Sequence, residues 1–521
     1  MKGRYISMKL NYRRTLCVGF AFFLITAFWQ AYDTIIPKIL TDRFGMSQTL
    51  SGIIMALDNV LALFLLPIFG IISDKCKSKL GKRTPFIIAG TLAAVVTFSA
   101  LSFVDAAQLK KINAVTDINA TEVREILYDY EYPEKIVSPS GEEFVLNEKF
   151  EREEFLSAPA TYKDNTVTEV YTDYIVPARQ AYIKYEITEK DPSALIFFIG
   201  LLLAVLISMA TFRTPAVALM PDVTPKPLRS KGNAVINLMG TIGGSCILGL
   251  GIVMGTGKTE NTFMNYTGYF LAVAGLMLVC LGLFVLTVKE NKFVREMEET
   301  SKKYGIDEGE EEVAGKKKLT KGERRSFLLL LASVIFWYAG YNAVISKYSV
   351  YASNVLDLDY NSTLLVANIA ALIAFIPVGI ISTKVGRKKM VIAGVVMLGS
   401  AFLVAAFLSS GTPAAVMMVI FALAGIGWAT INVNSFPMVV ELAKGGNVGR
   451  YTGFYYTASM AAQTLTPVLS GLCMDNFGMR TLFPYATVFV VLSLLSMLLV
   501  RHGDATPVKA KDASDYIPDV D

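Results

Sequence analysis

The chain alternates between long apolar runs and short polar breaks. Runs of about 20 apolar residues, the length that crosses a bilayer core as a helix, fall at 16–37, 50–72 and 86–104. Residues 105–193 then break the pattern with a polar, acidic stretch that includes Glu142, Glu143, Glu151, Glu153 and Glu154. Runs resume at 194–220, 233–254 and 268–288, followed by a heavily charged segment over 289–325. Six more follow, at 326–349, 362–382, 390–410, 413–436, 451–472 and 481–500, before a polar tail from Arg501. A soluble core does not need repeated runs of this length. The pattern predicts an all-α membrane protein with twelve transmembrane helices.

The breaks are not equivalent in charge. Every second one is basic: Lys75, Lys77, Lys79, Lys82 and Arg83, then Lys226, Arg229 and Lys231, then Lys384, Arg387, Lys388 and Lys389, then Lys444 and Arg450. The short turns between them are poor in Lys and Arg, and residues 1–15 are basic. Short cytoplasmic loops collect Lys and Arg, so both termini and the 289–325 linker are expected in the cytoplasm, with the protein in the plasma membrane. By the same alternation, 105–193 is expected outside. It is too long for an ordinary connection. It is expected to fold as a small external domain with a hairpin at Ser138-Pro139-Ser140-Gly141.

The two halves of the chain repeat. Pro67-Ile-Phe-Gly70-Ile-Ile-Ser-Asp-Lys75 is echoed by Pro377-Val-Gly379-Ile-Ile-Ser-Thr-Lys384, and Gly81-Lys82-Arg83 by Gly386-Arg387-Lys388-Lys389. An acidic residue ends the fourth run of each half (Asp222, Glu441), and an arginine opens the fifth (Arg229, Arg450). Parallel repeats about the membrane normal are one way to build alternating access.

At these residues the chain resembles the major facilitator superfamily. The Gly-x-x-x-Asp-basic turn with its basic cluster, and the acidic and arginine pair Asp222 and Arg229, look like that superfamily's loop signatures. The forms Ser73-Asp74-Lys75 through Gly81-Lys82-Arg83-Thr84-Pro85, Arg213-Thr-Pro through Pro221-Asp222, and Gly427-Trp428-Ala429 through Pro437 to Glu441 are similar to two of its branches. These are the sucrose/proton symporters and the glycoside–pentoside–hexuronide:cation symporters. The resemblance covers all twelve runs but not 105–193. It implies a two-times-six-helix transporter importing a sugar or glycoside with a proton. Export of a drug or metabolite on the same fold is the alternative, and a sensor using the external segment is the alternative from another class.

Composition and chemistry narrow this. Hydrophobic residues make up 53% of 521, and mean hydropathy is +0.47. The net charge of +5 is small for the length. The five cysteines are scattered without a CxxC pair, and the one histidine, His502, lies in the tail. No disulfide framework, zinc site or intramembrane histidine relay is indicated. No nucleophile–base or metal constellation is visible, so an enzyme, a cofactor, a metal and a nucleic-acid partner are not expected. The expected partners are the bilayer, a small-molecule substrate and a proton, with the protein a monomer. Asn119, Asn265 and Asn361 open glycosylation triplets, which matter only in a eukaryotic secretory setting.

Intramembrane charges are functional candidates by default. Asp58, beside Asn59 in the second run, is the candidate coupling group. Relatives that use sodium carry a second carboxylate one turn along, where this chain has Ala62, and a hard cation prefers several oxygen ligands. Asp33 and Lys347 fall near the outer ends of runs one and seven and are candidates for an outer gate or substrate contacts. Arg213 is a candidate to bind substrate or to hold Asp58. Sugar sites need aromatic faces for the ring and amides or carboxylates for its hydroxyls. Trp29, Gln30, Tyr32, Trp337, Tyr341, Asn342, Trp428, Asn432, Asn434 and Gln463 fit that description. A cytoplasmic gate is expected from Lys82, Arg83 and Arg387 with Asp74, Asp222 and Glu441, and from Arg229 and Arg450. Thr383 stands where the first half has Asp74, so the two latches are not equivalent.

Overall fold

The computed structural model describes residues 10–117, 120–160, 167–225, 228–304, 319–442 and 448–503; the side chains of Ser230, Thr383, Val440, Glu441, Val448 and Arg450 lie outside that description. Twelve long helices carry the fold. In the first half they are α1 (Tyr12–Lys38), α2 (Gln48–Asp74), α3 (Thr84–Lys111), α4 (Ser193–Asp222), α5 (Arg229–Met254) and α6 (Thr267–Thr287). In the second they are α7 (Lys321–Tyr351), α8 (Tyr360–Val385), α9 (Arg387–Ala405), α10 (Ala414–Glu441), α11 (Val448–Phe477) and α12 (Leu482–Leu499).

Among the described residues, eleven of these are long and apolar enough to cross a membrane. The exception is α11, which is 30 residues long but carries four Thr, two Ser and one Gln. Most helices outrun the expected spans, α3 by a full turn and more. Hydropathy sees the part in hydrocarbon, whereas a helix continues as long as its backbone bonds can be made.

The repeat visible in the sequence is a repeat of packing. In the first half α1 packs on α5 and α6, α4 on α2 and α3, and α3 on α6. In the second half α7 packs on α11 and α12, α10 on α8 and α9, and α9 on α12. Adding six to each number of the first set produces the second. Between the halves, α2 lies on α11, α5 on α8, and α1 on α7. Each half has its own apolar cluster, one around Phe28, Phe98 and Phe270, the other around Tyr348, Phe402 and Phe483. The outward faces carry exposed Phe197, Val253, Leu286 and Phe407. Apolar surface on this scale is a liability in water and the expected coat in lipid. Both α1 and α7 end in a widened π-helical turn, Ile39–Arg43 and Ala352–Leu356.

Between α3 and α4 the chain builds a separate small cluster around Val115, Leu127, Phe155, Ile175 and Ile183. The expected hairpin is there, with Ile136 opposite Phe144. This inserted cluster touches both halves at the same end of the bundle. In the first half, Gln180 Nε2 donates to Asp42 Oδ1 at 3.0 Å, and the Arg179 guanidinium lies 4.3 Å from the Phe263 ring centre. In the second half, Arg480 N donates to Pro139 O at 2.9 Å, and its guanidinium pairs with Asp173 at 3.5 Å. Burial pushes the Asp173 carboxyl above the usual carboxylate range, opposed by Arg480.

The docking of this cluster on the α11–α12 turn depends on Gly478, which has φ +87°. A Cβ there would collide with Gly141 N and stand 2.5 Å from Pro139 O. Gly411 has the same φ with nothing near it. Gly478→Ala should therefore lower the melting temperature in detergent more than Gly411→Ala, which pays only the backbone strain of about 1–3 kcal/mol. It should also speed proteolytic cleavage within 112–188. Equal effects of the two substitutions would show that the contact does not hold the cluster.

Candidate functional site

Three helices of the first half bring charge to one place. On α1, Trp29 and Asp33 are one turn apart and share a face with Gln30. All three are half-buried in the bundle interior. Asp58 and Asn59, nearly three turns into α2, are also half-buried, and Asn59 Nδ2 donates to Asp58 Oδ1 at 2.7 Å. Arg213 of α4 places its guanidinium 5.5 Å from the Trp29 ring centre. Asp33, Asp58 and Arg213 act on one another electrostatically. No ion pair within 4 Å joins them among the described residues, so Arg213 does not lock Asp58 in a direct bridge.

The second half contributes an aromatic wall. Tyr341 of α7 stacks on Trp428 of α10, with ring centres 5.8 Å apart and planes at 22°. Phe375 of α8 meets Trp428 edge-on at 5.9 Å. Tyr341 is close enough to Asp33 to act on it electrostatically, so this wall stands across from the charged set. Between them, Asn368 Nδ2 of α8 donates to Gln30 Oε1 of α1 at 3.4 Å. A Cβ at Gly244 of α5 would meet Thr26, Gln30 and Asn368 at 3.3–3.8 Å. Asn368 was not among the sequence candidates. Its signal, an amide in the middle of an apolar run, was available.

The remaining candidates divide by burial. Asn342, Asn432 and Gln463 are half-buried on α7, α10 and α11. Asn342 donates to the Tyr338 carbonyl at 2.8 Å and Gln463 to that of Ser459 at 3.3 Å, both one turn back. Asn432 makes no hydrogen bond among the described residues, which leaves its amide available. Tyr32 and Trp337 are 1% exposed and belong to the apolar clusters of their halves. Asn434 is equally buried and donates to the Thr430 carbonyl at 2.9 Å. These three pack rather than line open space. Lys347 is fully buried, and its partner is not Asp33 but the Gln48 carbonyl of α2, at 2.5 Å.

At the end carrying the insertion, bonds cross between the halves. Lys38 Nζ donates to Ser353 Oγ at 2.9 Å, Asn354 Nδ2 to Asp42 Oδ1 at 3.2 Å, and Asn361 Nδ2 to Thr256 Oγ1 at 3.1 Å. At the basic-turn end, the described bonds of the signature residues stay within one half. Arg83 pairs with Asp74 at 2.5 Å and with Asp222 at 2.8 Å. Arg229 donates to the Pro221 and Thr224 carbonyls that end α4, at 3.1 and 3.2 Å. Lys388 Nζ donates to the Leu498 and Val500 carbonyls at the end of α12. Cations at helix carboxyl ends are favoured by the helix dipole. Lys82 bonds through its backbone N–H to Glu290 Oε1 at 2.7 Å, and its side chain is exposed. The side chains of Glu441 and Arg450 lie outside the described residues, and Arg387 opens α9. Among the described residues, hydrogen bonds thus tie the two halves together at the insertion end, and the bonds described for Arg83, Arg229 and Lys388 at the other end lie within one half.

Comparison with known proteins agrees with this geometry. A family model described as Major Facilitator Superfamily matches residues 188–376 and 362–517. A second, described as MFS/sugar transport protein, matches 17–109. No curated relative matches in sequence. Among solved structures, the chain is similar to the inward-open xylose transporter XylE from E. coli, with TM-score 0.56 and 12% identity over 94% of this chain and 97% of that one. It is also similar to the nucleoside transporter NupG, at 0.51 and 11% over 94% and 100%. A bacterial homologue of the human drug peptide transporters PepT1 and PepT2 gives 0.54 and 10% over 94% and 98%. At such identities the likeness is one of fold. With twelve helices repeating as six and six, and a family match over most of its length, the chain belongs to the Major Facilitator Superfamily and is a membrane transporter rather than an enzyme.

Proposed function

We propose that the protein imports a sugar or glycoside together with a proton, by alternating access of a site between α1, α2, α4, α7, α8 and α10. In this reading it sits in the plasma membrane with both termini and the basic turns in the cytoplasm. The insertion lies outside, and the structure corresponds to the state closed on the outside. The observation that carries the proposal is the intramembrane charge set facing an aromatic wall. Asp33, Asp58 and Arg213 together hold two carboxylates and one cation. Fully ionised, the set has one negative charge too many for an apolar bundle, where unpaired charge is expensive. One proton neutralises it.

Asp58 is the group that takes the proton: among the described residues its carboxylate is hydrogen-bonded only by its neighbour Asn59. Asp33 stands nearer the substrate, within electrostatic reach of the Tyr341 side chain. The Tyr341–Trp428 pair offers a ring face, and Gln30, Asn368 and Asn432 offer amides for hydroxyls. Substrate and proton meet because both bind against Asp33 and Arg213. The likeness to xylose–proton symport is supporting context: another similar structure is described as a D-xylose-proton symporter, with TM-score 0.52 and 12% identity. So is the sugar-transport family match over the first three helices. The basic clusters, whose described bonds lie within one half in this state, would meet across the halves when the site faces outward.

Proteoliposomes loaded against an inward proton gradient should accumulate at least one of labelled sucrose, maltose or a simple glycoside. Asp58→Asn should abolish gradient-driven accumulation while retaining exchange of preloaded substrate. If no sugar accumulates, the sugar assignment is wrong; if Asp58→Asn accumulates normally, Asp58 is not the coupling group. The aromatic wall makes a separate prediction. Tyr341→Ala should raise the apparent KM about fivefold, as loss of a ring contact worth about 1 kcal/mol predicts. Tyr341→Phe, which keeps the ring, should change it little. Equal effects of the two would assign the role to the hydroxyl.

A further inference from the structure

We propose that Asp475 is the positioning residue that holds the outer gate shut, by capping the first turn of α2 from the opposite half of the molecule. The first four N–H groups of a helix have no partner within it. In α2, Ser47 Oγ takes the Leu50 N–H at 3.2 Å from its own side. The Gln48 and Thr49 N–H groups are taken by the two carboxylate oxygens of Asp475, on α11, at 2.8 and 2.7 Å. Thr49 Oγ1 donates to the same carboxylate at 2.5 Å. A carboxylate at a helix N-terminus is favoured both by these donors and by the helix dipole.

Two further features show that this contact is built. The backbones approach unusually closely: a Cβ at Gly52 would collide with the Pro467 carbonyl, and one at Gly471 would stand 2.5 Å from Gln48 O. Lys347 of α7, fully buried, holds the Gln48 carbonyl and acts electrostatically on Asp475. Gln48 is therefore gripped at both backbone groups by the second half, its N–H by Asp475 and its C=O by Lys347.

The inference rests on the alternating-access reading, because only there must α2 leave α11 at this end. When it does, the three Asp475 bonds and the Lys347 bond break together. Lys347 and Asp475 then remain on the same half as each other's counter-ion, so neither charge is stranded. That makes the gate reversible, where a purely structural cap would be permanent.

The test reads the gate without any substrate, so it can fail or succeed independently of the sugar assignment. Ser51, fully buried at the end of the first turn of α2, is replaced by Cys in full-length protein with Cys17, Cys76, Cys246, Cys280 and Cys473 changed to Ser. Ser333, buried between α7 and α12 against Ser493, is replaced by Cys in a parallel control. A membrane-impermeant maleimide is applied from the outer side. Asp475→Ala should speed labelling at position 51 by about five- to thirty-fold, the population shift expected from losing a cap, and leave position 333 unlabelled. Asp475→Asn should give a smaller rise, since its amide oxygen can still accept. Unchanged labelling at 51, or an equal rise at 51 and 333, would overturn the proposal. If Asp475→Ala is not recovered as a monodisperse folded protein, Asp475→Asn and Thr49→Val carry the same prediction and the same refutation.

Discussion

Inside a bilayer there is no water to receive a stray hydrogen-bonding group, so every backbone donor, acceptor and charge must be answered by the protein. That constraint organises this molecule. It forces the spanning segments into helices, and it makes the helix ends and the interior charges the places where structure and function meet. The end of α2 shows it plainly. Two N–H groups that a surface helix would leave to solvent are instead answered by Asp475 from another helix. At the other end of the same helix, Arg83 answers Asp74 and Asp222.

The same constraint separates the two kinds of polar residue in the interior. Asn342, Asn434 and Gln463 return their amides to carbonyls of their own helices and ask nothing of their neighbours. Asp33, Asp58 and Arg213 cannot do this, because charges need counter-charges, and they come from three different helices. Their mutual distances are too long for a direct bridge. They stay partly open to solvent and therefore open to a ligand. The arrangement is one of incomplete satisfaction, which suits a site that must bind and release.

Symmetry supplies the scaffold and its breaking supplies the direction. Helix packing in the two halves follows one pattern shifted by six, yet the charged set comes from the first half and the aromatic wall from the second. The insertion occurs only in the first half and reaches the second through Pro139 and Asp173 at the α11–α12 turn. It docks at the end where Lys38, Asn354 and Asn361 bond across the halves.

Hydrophobic runs and basic turns already determined the class and the twelve helices, because bilayer thickness and charge asymmetry act on composition along the chain, while the family was legible only as a resemblance in the repeated Gly and basic clusters. Asp58 and Arg213 were also legible, since a charge in an apolar run is conspicuous wherever it points. What the chain order could not convey was which face of a helix meets which neighbour. Trp337 and Tyr341 lie one turn apart on α7, yet one is sealed in the core and the other stacks on Trp428. Lys347, a candidate for an outer gate or a substrate contact, bonds the Gln48 carbonyl of another helix. Asp475, which no sequence pattern singled out, caps a helix more than 420 residues earlier. Those outcomes depend on backbone approach between distant segments, which Gly52 and Gly471 permit and only the packed helices decide.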